Sequence, residues 1–167
     1  MKRPIRLGLL TISDRGAAGI YEDKSGPLLA ETLTGSLNCT ISHRAIIPDD
    51  RDTIVKTLLD WVETEKLDLI FTSGGTGFAP RDVTPEATRQ VIERETPGLT
   101  LAMLQNSLAI TPHAMLSRMA AGIRKQTLII NLPGSPKAAR ENLAVILPAL
   151  PHAVELLQDD PAAEAHH

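Results

Sequence analysis

The sequence predicts an α/β fold: a central, mostly parallel β-sheet covered by helices on both faces, three layers (αβα) in all. Three observations carry the prediction. Short apolar runs rich in strand-forming residues alternate along the chain with stretches of helical periodicity. Several of these runs end in clusters of Gly, Pro, Ser and Asp that lead into helix starts. At 167 residues, with 43% hydrophobic and 22% charged side chains, the chain fits one ordinary globular domain, expected to span 1–167.

The elements follow in order. Residues 5–12, IRLGLLTI, read as the first strand. Residues 24–35 read as a helix with Leu28, Leu29 and Leu33 on one face and Asp23 or Ser25 as cap. Residues 39–47, CTISHRAII, make a second strand, and Asp49 or Asp50 caps the next helix, where Ile54, Leu58, Leu59 and Val62 recur at helical spacing. Residues 67–72, LDLIFT, form a third strand buried by its composition. Helices are expected from about Pro85 to Glu93, with Thr84 as N-cap, and from about Leu99 to Leu108. A short extended segment at 118–125 precedes a last core strand at 127–132, TLIINL. The final helix, from about Pro136 to Leu157, is expected to break near Pro148 and Pro151, because each removes a helical donor and crowds the preceding turn.

Composition excludes several functions. Aromatics make up 2% and the net charge is −3 with no basic block, so there is neither a stacking platform nor a phosphate-backbone surface for nucleic acid. The single cysteine, Cys39, forms neither a disulfide framework nor a thiolate metal site, and it suits the reducing cytoplasm. Arg6 and Asp14 confine the first apolar run to seven residues, so no signal peptide is expected, and LAVILPAL is too short to span a membrane. His43, His113 and His152 lack zinc spacing, no G-x-S-x-G elbow occurs, and the His166-His167 pair carries no weight.

Ligands of open α/β sheets bind beyond the carboxyl ends of the strands, so the chemistry is sought in four loops. These are Ser13-Asp14, Pro48-Asp49-Asp50, Ser73-Gly74-Gly75-Thr76-Gly77 and Pro133-Gly134-Ser135-Pro136-Lys137. Gly74, Gly75 and Gly77 permit positive φ and close backbone approach, and successive amides there can form a phosphate-binding nest. The loop is not a Walker A, since no G-K-[ST] follows. Ser135 is the expected N-cap of the last helix, and Lys137 in its first turn opposes the helix dipole unless an anion arrives. Asp49 and Asp82 each follow a strand-end loop; beside a phosphate nest such carboxylates suit a bridging magnesium ion. Both keep a structural alternative, helix capping for Asp49 and an Asx-type turn for Asp82.

Five ordered blocks, TISDR at 11–15, DKSGP at 23–27, IIPDD at 46–50, TSGGTGFAPRDVTPEAT at 72–88 and SRMAAGIRKQTLIINLPGSPKA at 117–138, resemble the Mog family of molybdopterin adenylyltransferases. The resemblance covers nearly the whole chain and implies the Mog-like fold. It also implies transfer of AMP from ATP to the terminal phosphate of molybdopterin, with release of pyrophosphate and a need for magnesium. It puts the family's essential aspartates on Asp49 and Asp82, and its phosphate-handling loop on Gly74, Gly75, Thr76 and Gly77, with Ser73 at its start. Substrate is expected across Ser13 and Asp14 and across Pro133, Gly134 and Ser135, with Arg81 and Lys137 as further phosphate contacts. A homotrimer in the cytoplasm is expected, with hand-over of the product to a molybdenum-insertion enzyme and no nucleic-acid or membrane partner. The alternatives are a MoaB-like relative, a non-catalytic pterin-binding scaffold, and a phosphatase or NTPase on a similar sheet.

Overall fold

The computed structural model describes residues 3–158, and the terminal histidine pair lies outside them. The described residues hold six strands, β1 (Ile5–Ile12), β2 (Cys39–Ile47), β3 (Leu69–Ser73), β4 (Arg94–Glu95), β5 (Ala121–Arg124) and β6 (Thr127–Leu132). They form one sheet in the order β2-β1-β3-β6-β5-β4. The first four in that order run parallel, whereas β5 pairs antiparallel with β6 and β4 antiparallel with β5. The helices are α1 (Asp14–Ala17), α2 (Ser25–Ser36), α3 (Arg51–Glu63), α4 (Thr84–Val91), α5 (Pro97–Ile110), α6 (Pro136–Ile146) and α7 (Leu150–Leu157).

Two apolar layers enclose the sheet, as expected of strands buried on both faces. On one side Leu7, Leu9, Leu69 and Phe71 pack against Leu29 and Leu33 of α2, Met103 of α5, Leu143 of α6 and Leu150 of α7. On the other side Leu10, Ile12 and Ile70 meet Ile54, Leu58 and Trp61 of α3 and Val91 of α4. Trp61 lies so close to β1 that a Cβ on Gly8 would stand 2.7 Å from its ring, which is why that central strand carries a glycine.

The strands at 5–12, 39–47 and 127–132 fall where the sequence puts them, and the C-terminal helix breaks at a 3₁₀ turn, Leu147–Ala149, as its prolines require. Asp50, not Asp49, caps α3, accepting from the Thr53 amide at 2.9 Å. Asp23 receives the Gly26 amide at the start of α2. Three expectations are corrected. The third strand begins at Leu69, after Leu67 and the hydrogen-bonded Asp68. Thr84 is the first helical residue of α4 and not its cap; its amide donates to the Gly75 carbonyl. The helix expected to reach about Glu93 ends at Val91, and Arg94–Glu95, to which no element was assigned, is a two-residue edge strand held by Gly122 and Ile123.

Candidate active site

The chain leaves β1 towards α2 on one face and leaves β3 towards α4 on the other. β1 and β3 are sheet neighbours, so their outgoing loops part over the sheet and open a crevice, the topological switch point of a doubly wound fold. A cleft of about 260 Å³ lies there.

Its floor is the glycine loop. Gly74 has φ +105° and Gly75 φ +67°, conformations that L side chains rarely adopt. A Cβ on Gly74 would overlap the Ile12 carbonyl, and one on Gly75 would overlap the Thr84 hydroxyl. Gly77 does not take positive φ, contrary to the sequence reading; a Cβ there would come within 2.9 Å of the tip of the Asp82 carboxylate. The Gly74 amide donates to Leu132 O, but the amides of Gly75, Thr76 and Gly77 meet no protein acceptor among the described residues. Successive unbonded amides are the donors from which anion-binding nests are built.

The adjoining loops are tied to this floor. Ser73 Oγ donates to Pro133 O at 3.0 Å, and Ser25 Oγ donates to Gly134 O at 2.8 Å. Ser13 caps α1 through the Gly16 amide and Ser135 caps α6 through the Ala138 amide, so both hydroxyls have local duties. Asp14 and Asp49 clasp reciprocally: the Asp14 amide donates to Asp49 Oδ2 at 2.9 Å, and the Asp49 amide to Asp14 Oδ1 at 3.0 Å. Arg81 grips Asp14 with two further bonds, at 2.8 and 2.9 Å. Asp82 Oδ2 accepts from the Ala79 amide, a turn contact of the anticipated kind, while its residue still borders the cleft.

Electrostatics separate the acids. The Arg81 guanidinium holds the Asp14 carboxyl below its ordinary range. Burial, and then the neighbouring Asp14 and Asp82 charges, push Asp49 above its ordinary value despite the Asp14 amide. Two carboxylates, Asp49 and Asp82, bordering the cleft beside Gly75 are a donor set that fits magnesium, which takes one or two protein carboxylates plus phosphate oxygens. Among the described residues no group of three or more His, Cys, Asp or Glu side chains forms a closed metal cage.

Ser13, Asp49, Ser73, Gly74, Gly75, Asp82 and Gly134 thus converge on one cleft. Thr76, Gly77 and Pro133 instead border a neighbouring cleft of about 290 Å³ with Leu104, Leu116 and Met119. Arg81 is engaged with Asp14, and Lys137 does not reach either cleft: its side chain is 83% exposed and 3.9 Å from Glu141. A larger cavity, about 650 Å³, lies where Arg3, Arg6 and Lys66 meet, away from these loops.

Comparison with known proteins decides the family. Residues 8–152 match the family described as "Probable molybdopterin binding domain". The chain belongs to the molybdopterin-binding domain family. Within that family it is 46% identical over 154 residues to a molybdopterin adenylyltransferase of Helicobacter pylori, covering 92% of this chain and 88% of the relative. It is 49% identical to gephyrin of Dictyostelium discoideum, covering 93% of this chain but spanning only 23% of that relative's length. The molybdopterin biosynthesis enzyme MoaB of Thermus thermophilus has the same fold, with a TM-score of 0.88 and 48% identity over 94% of this chain and 98% of its own.

The molybdopterin-binding domain also uses residues that the sequence did not single out. Arg118 clamps the glycine loop, donating from Nε to Gly77 O at 2.8 Å and from Nη2 to Asp82 O at 2.7 Å, and pairing with Glu86. Tyr21 and Lys24 border the first cleft. Ser107, which donates to Asn142, and Ser117, whose buried hydroxyl has no partner, border the second. Arg118 carried no local signal, since its acceptors Asp82 O and Gly77 O lie 36 and 41 residues away.

Proposed function

We propose that this chain is a molybdopterin adenylyltransferase, transferring AMP from MgATP to the terminal phosphate of molybdopterin and releasing pyrophosphate. The observation that carries this reading is the convergence of Asp49 and Asp82 with Gly74 and Gly75 on one cleft, from which the unbonded amides of Gly75, Thr76 and Gly77 lead to the next. A close relative named for that activity, matched over nearly its full length, supports it.

A phosphate oxygen of molybdopterin attacks the α-phosphorus of ATP, a new phosphorus–oxygen bond forms, and the bond to the β-phosphate oxygen breaks as pyrophosphate leaves. Two polyanions must meet in line, so catalysis is positioning plus charge neutralisation. The amides of Gly75, Thr76 and Gly77 hold phosphate oxygens at the junction of the two clefts. Asp49 and Asp82 hold magnesium, which, when bound, neutralises and orients the phosphates. Arg81, two-thirds exposed, exchanges Asp14 for a phosphate oxygen. Lys137 acts only through its field, near the first turn of α6. The apolar second cleft, with a few convergent polar groups, suits the pterin, and the more polar first cleft suits the nucleotide.

The proposed homotrimer draws on α5, which supports self-association: Met103 is its only buried residue, while Leu101 and Ile110 are more than half exposed. No helix of the described residues is long and apolar enough to cross a membrane, and ATP and a lone thiol suit the cytoplasm, where the product passes to a molybdenum-insertion enzyme. The test is pyrophosphate release from MgATP with and without molybdopterin. Pterin-dependent release is expected. Equal release without pterin means an NTPase, and pterin binding without release means a binding module.

A further inference from the structure

A stripe of buried polar residues runs from the middle of the sheet to the site. Asn131 saturates its inner part: its amide nitrogen donates to Thr72 and Thr88 at 2.9 and 2.8 Å, and its oxygen accepts the Ala120 amide at 3.0 Å. Thr84 lies one turn of α4 before Thr88 and therefore on the same side of the helix, at the site end. Its side chain is fully buried, and its hydroxyl alone in this stripe has no hydrogen-bond partner. A buried hydroxyl left without a partner is destabilising unless something completes it.

The geometry limits what completes it. The Thr84 oxygen and Asp49 Oδ1 both border the point where Gly75 lacks a Cβ, the carboxylate oxygen 3.0 Å from it. Asp49 Oδ2 is committed to the Asp14 amide, whereas Oδ1 accepts from no protein donor among the described residues. The hydroxyl is sealed from solvent behind Gly75, so a ligand in the cleft does not reach it directly. An open donor and an open acceptor therefore face each other across the space that the glycine leaves free.

We propose that Thr84 is a positioning residue for Asp49: its hydroxyl donates to Oδ1 when the carboxylate turns onto the metal–nucleotide complex, fixing the direction of the other lone pairs. This rests on the reading of the site as a metal–nucleotide site. Hydrogen-bonded supports of a ligating carboxylate typically change metal affinity about 10–100-fold when removed. Gly75 is part of the device, because any Cβ there would fill the gap.

The probe is Mn²⁺ with α,β-methylene-ATP, followed by calorimetry and by the Mn²⁺ electron paramagnetic resonance line shape, with no turnover required. Thr84→Val replaces the hydroxyl with a methyl group of the same size and removes an uncompensated buried polar group. It is expected to melt no lower than the wild type, yet to bind the Mn²⁺–nucleotide complex about tenfold more weakly with an altered line shape. Thr84→Ser, which keeps the hydroxyl, is expected to restore both. Wild-type binding and line shape in Thr84→Val overturn the inference, as does a loss that Thr84→Ser fails to restore. If the wild-type protein itself binds no Mn²⁺–nucleotide, the metal–nucleotide reading fails first, which the Thr84 variants alone would not cause.

Discussion

Replacing Arg118 by Met tests whether the glycine loop is held from outside. The substitution keeps an unbranched apolar stem and deletes the guanidinium that bridges Gly77 O, Asp82 O and Glu86. Hydrogen bonds from a charged donor contribute about 1.5–3 kcal/mol each. The Arg118 side chain is 31% exposed, which favours the lower figure for both carbonyl bonds, and the Glu86 pair, whose carboxylate is 37% exposed, adds less than about 1 kcal/mol. The expected loss is therefore about 3 kcal/mol. For a chain of this size that lowers the melting temperature by roughly 6–12 °C if the loop unfolds with the rest. The backbone bond from the Arg118 amide to Thr76 O survives, so the loop shifts rather than detaches. A displacement of about 1 Å at phosphate-binding amides costs on the order of 100-fold in rate. Thermal unfolding and pterin-dependent pyrophosphate release are the two assays. Lys is not expected to rescue, because a single ammonium lacks the planar fork. A variant with wild-type melting and wild-type turnover would refute the clamp.

Two other outcomes follow from the charges. Asp49 carries its negative charge against burial and two acidic neighbours, so Asp49→Asn, which keeps an acceptor for the Asp14 amide, should melt slightly higher while losing turnover about 100- to 1000-fold; a lower melting temperature would contradict the assignment of strain. At the far end of the sheet, burial alone would raise the Asp68 carboxyl, but the Arg3 fork, the Arg6 amide and Gln158 outweigh it and hold its value below normal. A depressed folded value stabilises fully above the unfolded value near about 4, and that contribution disappears as pH falls through the folded value. Denaturant titrations should therefore show a loss below about pH 4 that is absent in Asp68→Asn, which at pH 7 should be about 2–4 kcal/mol less stable than the wild type.

What the sequence displays and what it hides differ by range of interaction. β1 and β2 were legible because their apolar runs are bounded by Asp, Ser and Pro, and a cap at Asp49 or Asp50 was legible because capping acts over three residues, the fold choosing Asp50. Asp49 and Asp82 could be picked out as acids at strand ends, since the fold class fixes where loops converge. β4 was not legible: Arg94 and Glu95 carry no apolar signal, and their pairing is imposed by Gly122 and Ile123 from across the sheet. Thr84 looked like a cap because Thr before Pro usually is one; in the fold its hydroxyl turns inward, towards Gly75. Arg81 was expected to be free for phosphate, and only the folded chain brings Asp14, 67 residues away, into its fork.

The most direct measurement follows the label from ATP carrying ³²P at the α-phosphate. With magnesium and molybdopterin, label should move to the pterin in step with pyrophosphate release, and Asp82→Asn should reduce that transfer by about 100-fold or more while leaving the fold intact. Label that stays in nucleotide, or transfer that proceeds unchanged in Asp82→Asn, would contradict an adenylyl transfer organised by the Asp49–Asp82 cleft.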